Sequence, residues 1–273
     1  MLPTVFISHG SPMLAIEPGS YGIAWKRIAD SLPRPRAILV VSAHWNTRQP
    51  AVTLSVTPDT IHDFGGFPDA LYKIRYPAPG APDVALRVLS LLEERGLAAV
   101  MDPDRGLDHG AWVPLRHMYS SGDIPVTQLS VQPGLDADWH LRLGEALRPL
   151  REEGVLIIGS GSLTHNLHEV VFQDASDEPS EMYVREFQSW IHDALVRGDH
   201  AALQNWLSVA PHARRAHPTP EHLLPLFVAY GAGGGAPLMQ RPLSNFSLGV
   251  LAMDCYVFGA GGPNIAISVG ERA

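Results

Sequence analysis

Two aliphatic runs that end in the same way constrain this chain most: Val5-Phe6-Ile7-Ser8-His9-Gly10 and Ile38-Leu39-Val40-Val41-Ser42-Ala43-His44-Trp45. A β-branched and aliphatic run without polar alternation suits a strand covered on both faces, as in a parallel sheet between helices. Each run breaks into small polar residues and then an imidazole. His9 and His44 are therefore expected at the C-terminal edge of a sheet, where open α/β sheets build their sites. One such histidine would ordinarily cap its strand; two in matching positions point to a metal. A third run, Val155-Leu156-Ile157-Ile158-Gly159-Ser160-Gly161-Ser162-Leu163-Thr164-His165, ends in small residues that permit close backbone approach and then in His165.

Further strands are expected at Val52–Val56, Pro125–Val131 and Leu248–Val257, beside Thr4–Ser8, Ala37–Ala43 and Val155–Gly159. Helical periodicity covers Asp83–Arg95, Asp136–Arg151, Glu181–Val196 and Ala201–Val209. A fifth helix is expected to start at Thr219-Pro220-Glu221-His222, with Thr219 as cap and His222 in the first turn. This alternation predicts an α/β fold: a single domain, 1–273, with a central mostly parallel mixed sheet flanked by helices. The last strand and the turn-rich Gly259-Ala260-Gly261-Gly262 tail favour a mixed sheet. No linker or charge block divides the chain, and Gly231–Gly235 reads as a loop.

A formal net charge of −8 with no basic cluster argues against a nucleic-acid surface. No uninterrupted apolar stretch reaches the roughly 18 residues that a membrane span needs. The lone Cys255 excludes an intramolecular disulfide framework and a cysteine-based zinc site. No secretory signal is read at the N-terminus, so a cytoplasmic protein is expected.

Of the 13 histidines, His117, His140, His168, His192, His200, His212 and His217 sit in helical or polar contexts without partner motifs. His109 lies in the turn-like Leu107-Asp108-His109-Gly110-Ala111-Trp112, where an exposed Asp-His turn and a functional residue are equally good readings. His62 lies in Ile61-His62-Asp63-Phe64-Gly65-Gly66-Phe67-Pro68, a loop suited to forming one wall of a pocket. Trp45, Phe64, Phe67 and Trp112 could supply apolar surface for a flat aromatic substrate. A histidine-dominated site without cysteine favours iron or zinc: zinc would activate water, whereas Fe(II) could bind a chelating substrate and O₂ side by side. A further histidine beside the metal would serve as acid and base, with His165 first and His109 second.

Ser8-His9-Gly10-Ser11-Pro12-Met13, Val41-Ser42-Ala43-His44-Trp45, the His62 loop, Asp108-His109-Gly110 and Pro218-Thr219-Pro220-Glu221-His222 together resemble the DOPA-type class III extradiol ring-cleavage dioxygenases, almost end to end. The resemblance implies an α/β fold and a non-haem metal centre, Fe(II) for activity with Zn(II) as a possible bound metal, that opens a catechol beside its hydroxyls using O₂. It assigns His9 and His44 as ligands and places His222 as the third. His165 matches the acid/base near the metal and is also a candidate fourth ligand in a zinc form; His109 becomes a residue that orients substrate. The broader class uses two histidines and a carboxylate, so Glu221 stays open as an alternative to His222. Two rival readings are a zinc hydrolase in the same pocket, for which no HExxH helix is present, and a non-enzymatic partner-binding member of the family.

Overall fold

The computed structural model describes residues 1–171, 179, 181–235 and 238–259. Its strands are β1 Thr4–Ser8, β2 Ala37–Asn46, β3 Ala51–Thr53, β4 Val100–Asp102, β5 Val126–Val131, β6 Val155–Gly161, β7 Met239–Leu243, β8 Phe246–Ser247, β9 Leu251–Ala252 and β10 Cys255–Phe258. The helices of ten or more residues are α1 Gly19–Ser31, α2 Pro82–Glu93, α3 His109–Met118, α4 Ala137–Leu147, α5 Met182–Arg197 and α6 Leu224–Gly233.

Among the described residues, eight strands form one mixed sheet in the order β4-β3-β5-β2-β6-β1-β10-β7. The central four, β5, β2, β6 and β1, are mutually parallel, and β10 and β7 extend the sheet antiparallel. The uninterrupted aliphatic runs have a direct cause here: in β2, Leu39 and Val41 enter a core on one face, and Ile38 and Val40 enter a second core on the other. Trp25 and Ile28 of α1 and Val113 and Leu115 of α3 fill the second core. Helices α2, α4, α5 and α6 cover the opposite face with residues such as Val88, Leu143, Phe187 and Phe227.

Several boundaries differ from expectation. The strand expected at Val52–Val56 is only Ala51–Thr53, because the chain turns away at Val56, whose carbonyl accepts from Gly80 N. Leu248–Val257 is not one strand. A hairpin tip with positive φ at Leu248 (51°) and Gly249 precedes β9, and the buried Asp254, paired with Arg241, breaks the chain before β10. Ala201–Val209 divides into His200–Gln204 and Trp206–Val209. The helix expected from Thr219 begins at Leu224; Thr219 gives its hydroxyl to Glu221 rather than capping a helix, and His222 sits in the turn before α6. Gly231–Gly233 belong to α6, which closes at Gly234 with φ 94°. Helices α1 and α3 were not expected; Asp108 caps α3 through Ala111 N, so His109 opens a helix instead of standing in an exposed turn. Residues 260–262 of the glycine-rich tail lie outside the described residues. Among the described residues, no helix is long and apolar enough to cross a membrane.

Candidate functional site

β1 and β2 flank β6 in register, with Ser8 opposite Gly161 and Ser42 opposite Ser160, so the three strands end along one edge. His9 follows β1, His44 lies near the end of β2, and His165 follows β6. His222 arrives from the opposite side, in the turn entering α6, and the glycines of β6 make room for it. A Cβ at Gly161 would lie 2.1 Å from His222 O, and one at Gly159 would lie 2.2 Å from Pro225 O. Ser162 N then donates to His222 O at 2.9 Å. Between the two glycines, Ser160 points to the other face, as strand alternation requires, toward His9 and Gly110.

The imidazoles converge through their Nε2 atoms: His44 Nε2 is 3.0 Å from His9 Nε2 and 3.3 Å from His222 Nε2. Each ring's Nδ1 faces an acceptor. His9 Nδ1 lies 3.0 Å from Ser160 Oγ, whose own proton goes to Gly110 O, so the hydroxyl can only accept from the ring. His44 Nδ1 lies 3.3 Å from Asp63 Oδ2. His222 Nδ1 donates to Glu221 Oε1 at 3.1 Å, an oxygen that also receives the Thr219 hydroxyl. With protons on Nδ1, three Nε2 lone pairs face a common point. Such lone pairs repel at these distances unless a cation lies among them, so the donor set fits a divalent transition metal that accepts imidazole nitrogen. Among the described residues, His222 and not Glu221 groups with both His9 and His44; Glu221 groups with His165 and His222.

Burial first, and repulsion among neighbouring rings second, holds His9 and His222 well below the ordinary imidazole value. His44 is lowered to about 4, mainly by burial and then by His109, against the pull of Asp108, Asp63 and Glu221; His165 is also lowered to about 4 by burial. At neutral pH these rings are uncharged, the form that donates to a metal.

Asp63 was not singled out by sequence, yet it joins the two halves of the site. Its Oδ1 accepts from both Nδ1 and the backbone N of His109, at 2.9 and 3.0 Å, while Oδ2 faces His44. Burial alone would raise the Asp63 carboxyl, but the hydrogen bonds and attraction of His109 outweigh it and keep the group well below the usual carboxylate range. Ser160 was likewise missed as a partner of His9. In both cases the signal is tertiary, a separation of 46 residues for Asp63–His109 and 151 for Ser160–His9. The start of α3 that carries His109 is fixed by Asp108, which is buried and accepts from Ser42 Oγ at 2.6 Å and Gln128 Nε2 at 2.7 Å.

A cavity of about 320 Å³ opens over the cluster, within the size range of small-molecule sites. His9, His44, His109 and His165 line it together with Asp63, Phe64 and Phe67. The ring of His165 stacks on His222 with centroids 3.4 Å apart and planes 8° from parallel. Two expected substrate contacts lie elsewhere. His62 bonds Ile74 O and packs behind Phe64 against Trp112, so it buttresses the wall without lining it. Trp45 follows His44 in the strand and therefore faces away, under the Arg105 guanidinium. Trp112 is fully buried in the core, with Nε1 on Ile61 O. Of the seven histidines read as ordinary, none lines the cavity; His217 is buried beside it with Nε2 on Leu163 O.

Residues 3–249 match the family described as the catalytic LigB subunit of aromatic ring-opening dioxygenase. The chain is 45% identical over 260 residues to 4,5-DOPA dioxygenase extradiol of Beta vulgaris, covering 93% of this chain and 96% of that protein. It is 40% identical over 256 residues to the Escherichia coli K12 protein of the same name, covering 92% and 93%. A crystal structure of an uncharacterized Escherichia coli K12 protein superposes with a TM-score of 0.78 at 34% identity, covering 95% of this chain and all of that one. The chain is thus an oxidoreductase and belongs to the LigB family of aromatic ring-opening dioxygenases.

Proposed function

We propose that this ring-opening dioxygenase performs extradiol cleavage of DOPA-like catechols with O₂, using a non-haem Fe(II) held by His9, His44 and His222. The observation that carries the ligand set is the convergence of three Nε2 atoms whose Nδ1 atoms are each held by an acceptor. Held by these imidazoles, such a metal would supply Lewis acidity toward a catechol and redox chemistry with O₂. Zn(II) fits the same imidazoles and, by the Irving–Williams order, displaces Fe(II) where both are present.

The protein's own residues do the rest. His165, neutral at pH 7 and in the cavity wall, takes a proton from a catechol hydroxyl and returns it to the opened product. Its stacking on His222 fixes its height above the ligand cluster. His109, tied to Asp63 through Nδ1, has Nε2 as its free nitrogen and orients the substrate hydroxyl as an acceptor. Phe64 packs edge-on against His109 at 5.7 Å and keeps water from that side. A reducing cytoplasm suits the buried free thiol of Cys255.

The test is anaerobic reconstitution with Fe(II) or Zn(II), followed by oxygen-electrode assays on DOPA and simpler catechols. Uptake is expected with Fe(II) only and to fall at least 100-fold in His44→Ala. Uptake no greater than that of the variant would refute the reading. Hydrolytic activity with Zn(II) under strict anaerobiosis would favour the hydrolase instead.

A further inference from the structure

Asp63 has capacity left to accept. Its Oδ1 takes two short bonds from His109, through Nδ1 at 2.9 Å and the backbone N at 3.0 Å, whereas Oδ2 has one longer approach, from His44 Nδ1 at 3.3 Å. An ionised carboxylate offers about four lone-pair sites, so these three donors leave Oδ2 able to take another. The side chain is 22% exposed and lines the cavity. It meets His44 at Nδ1, on the side of the ring away from the converging Nε2 atoms. Asp63 therefore stands beside the ligand cluster, where a ring substituent, and not the hydroxyls at the metal, would meet it.

Phe64 follows Asp63 in the chain, and Phe67 packs edge-on against Phe64 with centroids 5.4 Å apart and planes at 81°. Both rings line the same cavity as Asp63. Aromatic rings carry negative potential on their faces and attract a cation within about 6 Å. The loop 63–67 thus sets a carboxylate and two aromatic rings along one stretch of the cavity wall. These two kinds of group favour the same partner, a cation that carries N–H donors. The formal net charge of −8 on the chain adds a long-range attraction of the same sign.

We infer that Asp63, with Phe64 and Phe67, forms a subsite for the ammonium group of a catechol whose substituent bears an amine, such as an aminoethyl or amino-acid side chain. This deepens the ring-opening reading above and rests on it. Asp63 Oδ2 accepts a charge-assisted hydrogen bond from the ammonium, and the rings cover the cation beside it. Together these contacts favour the amino-bearing catechol by about tenfold over the same molecule without its amine.

Two matched pairs isolate the ammonium: L-DOPA against 3-(3,4-dihydroxyphenyl)propanoate, and dopamine against 4-ethylcatechol. Within each pair only the amino group differs. Full-length enzyme at saturating Fe(II) should be titrated anaerobically by calorimetry for Kd and assayed by O₂ uptake for kcat/KM. The amino member of each pair is expected to bind about tenfold more tightly, with the same preference in kcat/KM. In Asp63→Asn that preference should fall below about threefold. Phe67→Leu keeps the carboxylate and should lower the preference about two- to threefold. A side chain that only oriented the histidines would weaken both members of a pair alike, so the ratio separates the two roles. Equal affinity within each pair, or ratios unchanged in both variants, would overturn the proposal. The expected order of Kd without O₂ uptake from any catechol would instead strike the ring-opening reading.

Discussion

Replacing Asp63 with Asn preserves the size of the side chain and removes one acceptor. In the native site the carboxylate serves three donors: Oδ1 takes His109 Nδ1 and N, and Oδ2 faces His44 Nδ1. An amide whose oxygen keeps the two His109 bonds must turn its NH₂ toward His44. That ring can then pair only by accepting at Nδ1, which puts its proton on Nε2, 3.0 Å from His9 Nε2 and 3.3 Å from His222 Nε2. A protonated Nε2 cannot ligate. Loss of such an outer partner typically weakens metal binding 10–100-fold, or about 1.4–2.7 kcal/mol. The assay is Co(II) titration of metal-free protein against a fluorescent chelator, with circular dichroism and Tm to confirm the fold. A Kd within twofold of wild type in a normally folded Asp63→Asn protein would refute the reasoning that Asp63 sets the His44 tautomer.

Ser160→Ala removes the acceptor of His9 Nδ1 and leaves Gly110 O without its hydroxyl partner. About a tenfold loss of Co(II) affinity is expected by the same titration, and an unchanged Kd would contradict it. Gly161→Ala would place Cβ 2.1 Å from His222 O, a backbone atom that cannot swing aside; about 1–3 kcal/mol of stability should be lost, with weaker Co(II) binding, and an unaltered Tm would speak against the close approach. His140, away from the cavity, is lowered to about 4 by burial, partly opposed by the Asp136 carbonyl. Its folded value lies below its unfolded value of about 6.5, so its share of stability is full above that pH and is lost as pH falls toward 4. Urea unfolding of metal-free protein should show roughly 2–3 kcal/mol less stability from this ring at pH 4.5 than at pH 7. His140→Gln should remove that increment, and identical pH dependence in the variant would rule it out.

The most legible parts were those written in local periodicity. The runs ending at His9 and His44 are strands because residues 38–41 alternate into two cores, which makes every position apolar. Helices with one apolar stripe, such as α2, α4 and α5, were placed within a few residues. Helix α3 is hidden in the sequence because its cap, Asp108, stands directly before His109-Gly110, which locally resembles a loop, and Pro114 interrupts its interior. The final run looked like one strand because Asp254 is a single polar residue within apolar sequence; only its burial against Arg241 and Gln188 separates β9 from β10.

The sequence by itself determined the α/β alternation, the delivery of His9, His44 and His165 to one sheet edge, and, through its motifs, the resemblance to ring-cleaving dioxygenases. Tertiary structure decided how those residues meet. It set His222 against Gly161, turned Trp45 and His62 away from the cavity, and supplied Asp63, Ser160 and Glu221 as the acceptors that orient the rings. The physical reason is that strand direction and helix stripe are set by neighbours a few residues away. A tautomer or a cavity wall depends on hydrogen bonds and close approaches between residues up to 151 positions apart, such as His9 and Ser160.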